Sequence, residues 1–391
     1  MRETDENYES EYESTRRPRS RGAVVVMAVL ALGIIGIIIW TMVMKKTTYT
    51  SWEAVSRTEN IPNALCMETD GGYLLYNSDG AEGHDRDGHV IWKISYDLTS
   101  PIAAAGGDFA AFADRGANTV HVTDGSGSNN VINVSEKIAD LCVSGQGNTA
   151  IRTDGGDYDH IYIYDFSGNM LIDIKTEVRK SGFPIAMALS NDGHKLVTSY
   201  LQAGQTQAAW VTFYNFGDVG QSYSDKIVGS YSFEDSLIPD VRFLGNDRVL
   251  ISDDKLSVLY KFREVPEEIK RFTGEGVTAS VTGREGYFAI AKKQNDGVCK
   301  ITIYNNNGQE TASVETGVVY DTMNVEGGEL ILTGGDSCII YRKNGKEKFR
   351  SRLGGTISLI IPSGADAAYT VVEEGATEVI KLKTGEDAVT E

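Results

Sequence analysis

The stretch IYIYDFSG, Ile161–Gly168, decides the fold: an alternating run of β-branched and aromatic residues closes in a polar turn ending in glycine. Seven relatives of it lie elsewhere: AEGHDRDG (Ala81–Gly88), VHVTDGSG (Val120–Gly127), WVTFYNFG (Trp210–Gly217), LSVLYKFR (Leu256–Arg263), ITIYNNNG (Ile301–Gly308), CIIYRKNG (Cys338–Gly345) and EVIKLKTG (Glu378–Gly385). The first turn residues are Asp85, Asp124, Asp165, Asn215, Lys261, Asn305, Arg342 and Lys383, so the steps are 39, 41, 50, 46, 44, 37 and 41 residues. A period of roughly forty in strand-rich units is the mark of a β-propeller, one four-stranded blade per repeat. The expected fold class is all-β: an eight-bladed propeller, or seven-bladed if one unit is degenerate.

Within a repeat the strands can be assigned from the inner a to the outer d. In the third unit they read Ile138–Ser144, Thr149–Thr153, His160–Tyr164 and Met170–Lys175. The abundance of Gly (42) over Pro (7) fits turns that need positive φ and strands that need every N–H. The eighth unit supplies Gly355–Ile360, Ala367–Val372 and Thr377–Leu382, then ends without a d strand. Residues 49–58 belong to no blade, and a ring left open would expose two sheet edges. Tyr49–Thr58 is therefore expected to be the ring-closing outer strand of the eighth blade.

Ahead of the repeats, Ala23–Met44 is a run of twenty-two residues without a charge. As a helix it is about 33 Å long, enough for a hydrocarbon core of roughly 30 Å. It is too long for a signal peptide's apolar region, and Thr41-Met42-Val43-Met44 offers no small-residue cleavage site, so an uncleaved signal anchor is expected. Arg16, Arg17, Arg19 and Arg21 precede it and only Lys45 and Lys46 follow, which keeps the N-terminus in the cytoplasm. The organisation expected is a cytoplasmic disordered tail at 1–22, a single-pass transmembrane helix at 23–44 and an extracytoplasmic propeller at 45–391. The tail's YESEYES, Tyr8–Ser14, reads as solvated, with a docking or phosphorylation site as the rival. The chain would enter its closing strand at once, so the face carrying the c–d turns is expected to look towards the bilayer.

From residue 47 on, acids outnumber bases 49 to 30, a net charge of −19 (whole chain 55 and 37, less six acids and seven bases at 1–46). Such a surface repels nucleic acid. A protein or glycan partner in the cell envelope is expected, together with a monomeric ectodomain. The four cysteines (Cys66, Cys142, Cys299, Cys338) are scattered and fit unpaired buried thiols.

No catalytic motif is present: no HExxH among the five histidines, no GxSxG elbow, no phosphate-binding loop. The carboxylate clusters at Asp154–His160 and Asp85–His89 lack the spacing of a calcium loop and read as solvated turns. The innermost strands read Ala64-Leu65-Cys66-Met67, Ile102-Ala103-Ala104-Ala105 and Ile185-Ala186-Met187-Ala188, a wall of small apolar residues rather than a charged site. The expectation is no catalytic residue, no metal and no cofactor. Tyr164, Tyr214, Tyr260, Tyr304 and Tyr341 recur at the end of strand c and read as interblade packing with the hydroxyl at the rim. Trp92 reads likewise as blade-edge packing. The least repetitive feature is the long c–d connection of the fourth unit. Long loops on rigid scaffolds tend to carry function, so Tyr214, Asn215, Phe216, Gly217, Asp218, Gly220 and Tyr223 form the candidate binding site, against the plainer reading of a packed loop.

AEGHDRDGHVIW (Ala81–Trp92), LSNDGHKLVTSY (Leu189–Tyr200), FYNFGDVGQSY (Phe213–Tyr223) and DKIVGSY (Asp225–Tyr231), behind an N-terminal apolar anchor, resemble the bacterial domain-of-unknown-function family 5711 of clostridia-like Gram-positive bacteria. The resemblance spans roughly Thr47–Lys383 and implies a membrane-tethered extracytoplasmic propeller of no assigned activity. Asp87-Gly88-x-x-x-Trp92 also looks like the repeat of quinoprotein-type propellers and of the outer-membrane assembly scaffold that shares their fold. Three readings of function follow: a non-catalytic envelope binding or scaffolding module first; a quinoprotein-like or lyase-like enzyme second; a ligand sensor signalling through a partner third.

Overall fold

The computed structural model of the protein describes residues 26–27, 29–37, 48–202, 208–223, 225–274, 277–282 (backbone only), 286–294, 297–326 and 328–385. The chain divides into a leading segment, Met1–Thr48, and a body, Tyr49–Glu391. In the leading segment, 26–27 and 29–37 are helical, and Val26, Met27, Val29, Leu30, Leu32, Ile34, Ile35 and Ile37 are all exposed. Among the described residues no helix is long and apolar enough to cross a membrane. The rest of the expected span 23–44, and the tail 1–22, lie outside the described residues.

The body contains eight four-stranded antiparallel sheets, each ordered from inner to outer strand, so the eight-bladed propeller is the architecture. The seven-bladed variant is not needed. Blade 1 comprises Leu65–Glu68, Gly72–Tyr76, Gly80–Asp85 and Val90–Ser95; blade 4 comprises Phe183–Leu189, Lys195–Gln202, Ala208–Asn215 and Ile227–Glu234. Because neighbouring strands alternate in direction, the a–b and c–d turns of every blade share one face. The b–c turns and d–a connections share the other.

The recurrent polar turn has a common geometry that explains its sequence. In blade 3 the Asp165 N–H donates to Asn169 O (3.0 Å) and the Gly168 N–H to Asp165 O (3.0 Å), while the Asp165 side chain accepts from the Asn169 N–H (2.9 Å). Asp85, Asp124 and Asn305 use their side chains in the same way, accepting from the residue four further on. The glycine that ends the turn has φ of +85° at Gly168, a conformation that L side chains resist. The c–d ladder then slips one residue beside the turn, between Ile163 and Tyr164. Asp or Asn at the first position and Gly at the fourth thus serve the turn's own backbone, which Arg342 also forms in blade 7 without the side-chain bond.

Packing is between blades, not within one central core. Each of the eight blade interfaces holds its own apolar cluster. Blades 4 and 5 meet through Val197, Val211, Phe213, Ile251, Val258 and Phe262 among others, all fully buried. Blades 8 and 1 bring together only Tyr73, Leu75, Ile361 and Val372 as fully buried residues, the smallest such set among the described residues. Of the repeated tyrosines, Tyr214, Tyr260 and Tyr341 are buried in these clusters and Tyr164 and Tyr304 are half-buried. Tyr214 departs from the expected rim position: its hydroxyl is buried against that of Tyr200, 2.9 Å away. The cysteines are unpaired, and only Cys338 is fully buried.

The outermost strand of blade 8 is Ser51–Glu59, which precedes all other strands in the chain and pairs antiparallel with Ala376–Lys383. The register runs from Ser51 opposite Lys383 to Glu59 opposite Ala376, with a bulge between Ala54 and Ser56. Arg57 bonds Glu378, Lys383 Nζ meets Glu53 at 2.9 Å, and Trp52 Nε1 donates to Arg352 O of blade 7 (3.3 Å). Asn60 finishes the strand, donating to Glu373 O (2.9 Å) and accepting from Thr377 Oγ1 (2.8 Å). The ring is therefore sealed by one strand from the chain's beginning beside three from its end. Eight cross-strand pairs at roughly 0.2–1 kcal/mol each put this ladder at about 2–8 kcal/mol. A chain beginning at Ile61 should melt well below one beginning at Thr47 and should self-associate through its bare edge; thermal melts with sedimentation check both.

Candidate functional site

The inner strands surround a central cavity of about 1030 Å³. Its wall is small and apolar where Met67, Ala104, Ala105, Cys142, Met187 and Ala188 face it, as their sequence suggests. At the a–b turns the character changes. Glu68, the residue after Met67 and the last of its strand, lines the cavity together with Glu326, the last of the inner strand Thr322–Glu326 in blade 7. The expectation of an uncharged channel is corrected here: two carboxyls stand side by side on the channel wall.

These two groups are joined by one cation that reaches across an entire blade. Arg86 sits in the c–d turn of blade 1, inside the HDRDG stretch. Its Nη2 lies 3.3 Å from Glu326 Oε2 and 3.7 Å from Glu68 Oε1, and its Nη1 donates to Pro362 O of blade 8 (3.1 Å). The Arg86 carbonyl accepts from Thr370 Oγ1, and the Asp87 side chain accepts from the Gly364 N–H at 3.0 Å, both also in blade 8. Asn324 Nδ2 donates to Glu68 Oε2 (3.2 Å). Glu326 is 3% exposed at its side chain and Glu68 20%. Burial, reinforced by the neighbouring Glu326 carboxyl, pushes the Glu68 carboxyl up to about 8 despite Asn324 and Arg86. A single guanidinium facing two carboxyls is electrically balanced when one of them keeps its proton.

No sequence motif pointed to this cluster. The signal available was that both carboxylates end an inner strand just before paired glycines, in Glu68-Thr69-Asp70-Gly71-Gly72 and Glu326-Gly327-Gly328. Among the described residues no group of three or more His, Cys, Asp or Glu side chains is placed to hold a metal ion. Of the carboxylates at 85–89 and 154–160, Asp87 bonds blade 8, whereas Asp85 and Asp154 serve their own turns. Asp85 accepts from Asp87 N, His89 N and His89 Nδ1, Asp159 is buried, and His160 bonds Asp173 at 2.7 Å.

The blade 4 loop lies on the same face, since it too is a c–d connection, but on the opposite side of the ring from the carboxyl pair. Its seven candidate residues divide in two. Tyr214 and Asn215 are buried. Asn215 Nδ2 donates to Glu264 O of blade 5 (2.9 Å), and its Oδ1 accepts from the Gly217 N–H (2.9 Å). Gly220 is buried in the one-turn helix Asp218–Gln221, where a Cβ would stand 1.5 Å from Asn215 O. Phe216 packs against the cluster between blades 3 and 4. Only Asp218 and Tyr223 of the seven present exposed side chains. Lys195, from the LSNDGHK stretch, is buried and bonds Asp247 Oδ1 (3.0 Å) and Phe262 O (3.1 Å) of blade 5. Trp92 is 9% exposed and packs between blades 1 and 2. The distinctive segments of this chain therefore serve mostly as stitches between neighbouring blades. Gly220→Ala should cost about 2 kcal/mol or more by forcing the loop off Asn215, while Asp218→Ala should stay within ~0.5 kcal/mol; urea unfolding of the two variants separates a packed loop from a free one.

Among solved structures, the chain resembles BamB from Moraxella catarrhalis at 13% identity and a TM-score of 0.52, covering 85% of this chain and 98% of that one. Chaetomium thermophilum Raptor matches at 8% identity and a TM-score of 0.49 (88% of this chain, 30% of that one), and Kluyvelomyces marxianus Hsv2 at 12% and 0.48 (71% and 90%). Likeness at these identities is one of fold. No functionally curated protein matches the sequence. The model of a family of unknown function, DUF5711, matches residues 45–382, and the chain belongs to that family.

Proposed function

We propose that the chain is a membrane-tethered binding platform: a non-catalytic propeller held outside the cytoplasmic membrane by the segment 23–44, engaging a protein or glycan partner of the cell envelope. The observation that carries this reading is the closing strand. Ser51–Glu59 follows the apolar run after a few residues, so whatever holds that run also holds the outer edge of the last blade. Attachment and ring closure use the same piece of chain. An interaction scaffold benefits from this, because a load on the tether is borne by a cross-strand ladder rather than by a flexible linker.

Two further features favour binding over chemistry. The two channel glutamates are bonded to Arg86 across the seam of the ring, and Arg242 on the channel wall is paired with Asp240 of its own strand. The exported surface is acidic, which favours partners that are neutral, cationic or bridged by a divalent cation. The channel carboxyls are also the observation that favours the second reading, an enzyme working in the central cavity, since converging charged groups are what such a site requires. Turnover of a small molecule that is lost in Glu68→Gln would replace the binding reading with that one.

The topology is tested on the full chain in cells. With Ser126→Cys, an exposed position in the c–d turn of blade 2, a membrane-impermeant maleimide should label the protein in intact cells, and the protein should sediment with membranes. Labelling only after lysis would place the propeller inside and defeat the proposal.

A further inference from the structure

We propose that Glu68, Glu326 and Arg86 form a proton-operated latch on the closing seam of the ring, engaged while the carboxyl pair holds one proton and loosened when that proton leaves.

The geometry shows why this seam is the one to respond. Blade 8 is the composite blade, completed by a strand from the far end of the chain. Its interface with blade 1 has the smallest apolar cluster among the described residues, so polar contacts there carry a larger share of the cohesion. Those contacts centre on Arg86 and its neighbour Asp87. Arg86 leaves blade 1, touches the Pro362 carbonyl at the end of blade 8's inner strand and reaches Glu326 in blade 7. Glu68 returns the contact to blade 1. Three blades are thus held by one cation and two carboxyls.

The groups facing Glu68 are few. Blade 1 contributes Arg86, and blade 7 contributes Glu326 and the neutral Asn324. Blade 8, between them, contributes the Pro362 carbonyl through Arg86. Asp70 is exposed at the channel mouth, and Asp87 is occupied by the Gly364 N–H. With one proton on the pair, a single negative charge meets a single positive one. Without it, two adjacent carboxylates compete for one guanidinium in a half-buried site, and their repulsion acts directly across the 7–8–1 seam.

The direction of the pH effect follows. The Glu68 carboxyl titrates near 8 in the folded ring, against an ordinary value of 4.5 in the unfolded chain. Between those limits the folded state holds the extra proton. The cluster's contribution to stability is therefore largest at the acid end, falls as pH rises through that window, and levels off above it.

The test uses the full-length protein in detergent micelles, with thermal midpoints and amide exchange followed from pH 5 to 8.5. The wild-type midpoint should fall by about 5 °C relative to Glu68→Gln across this range, because the variant cannot lose the proton and the rest of the molecule cancels in the difference. Exchange beyond the intrinsic pH dependence should rise in Gly72–Tyr76 and Ala368–Glu373 and not in Ala208–Asn215. Infrared difference spectra should show a protonated carboxyl at neutral pH that is absent from Glu68→Gln, a signature that mere packing would not produce. Should Glu68→Gln fail to fold, Glu326→Gln provides the same comparison, and the infrared titration of the wild type stands alone. Parallel midpoint profiles for wild type and variant, or no protonated carboxyl at pH 7, would overturn the latch.

Discussion

The structure depends on joining the two ends of a repeat array. A propeller blade cannot bury its faces alone, so each of the eight units is stable only because a neighbour covers it on both sides. Seven of the eight interfaces join units that are consecutive in the chain. The eighth joins the last unit to the first, across the whole length of the repeat, and must be made from parts that are distant in sequence. The outer strand Ser51–Glu59, paired with Ala376–Lys383, supplies the missing edge. Arg86, between Glu68 and Glu326, supplies the polar grip on the opposite, inner side.

Seen from this constraint, the unusual segments of the sequence acquire roles. HDRDG is a c–d turn like the others in its backbone hydrogen bonds, yet its two middle side chains leave the turn and bind blade 8. LSNDGHK and FYNFG do for blades 4 and 5 what HDRDG does for blades 8 and 1, through Lys195 and Asn215. The interface they stitch is already rich in buried aromatic rings, with Phe213 and Phe262 edge to face at 5.2 Å. The seam between blades 8 and 1 has less to fall back on. That difference in apolar burial is why a titratable cluster can govern one interface and not the other.

Much of the architecture was legible because propeller signals are local. A turn such as Asp165-Phe166-Ser167-Gly168 encodes its own hydrogen bonds, and five such turns with three looser copies, spaced by roughly forty residues, give the blade number. Tyrosines recurring at the end of strand c were readable as packing for the same reason. The channel cluster was not readable. Glu68 and Glu326 stand 258 residues apart (326 − 68), and each looks like an ordinary strand end before a glycine turn. Only closure of the ring brings them together, and only the reach of Arg86 over blade 8 gives them a shared partner. The blade 4 loop shows the opposite failure. Its length was visible, but the inward bonding of Asn215 and the tight approach at Gly220 depend on blade 5 and on the loop's own backbone.

The central claim is that the first strand of the chain seals the last blade in a fixed register, and its most direct test is a cross-strand disulfide. Arg57 and Glu378 stand opposite each other, so the double variant Arg57→Cys/Glu378→Cys should form an intramolecular bond on mild oxidation of the full chain, identifiable by peptide mapping. The same oxidation of Arg57→Cys paired with Lys381→Cys, three positions out of register, should give little. Equal bonding in both pairs, or bonds formed only between molecules, would contradict a ring closed by its own first strand.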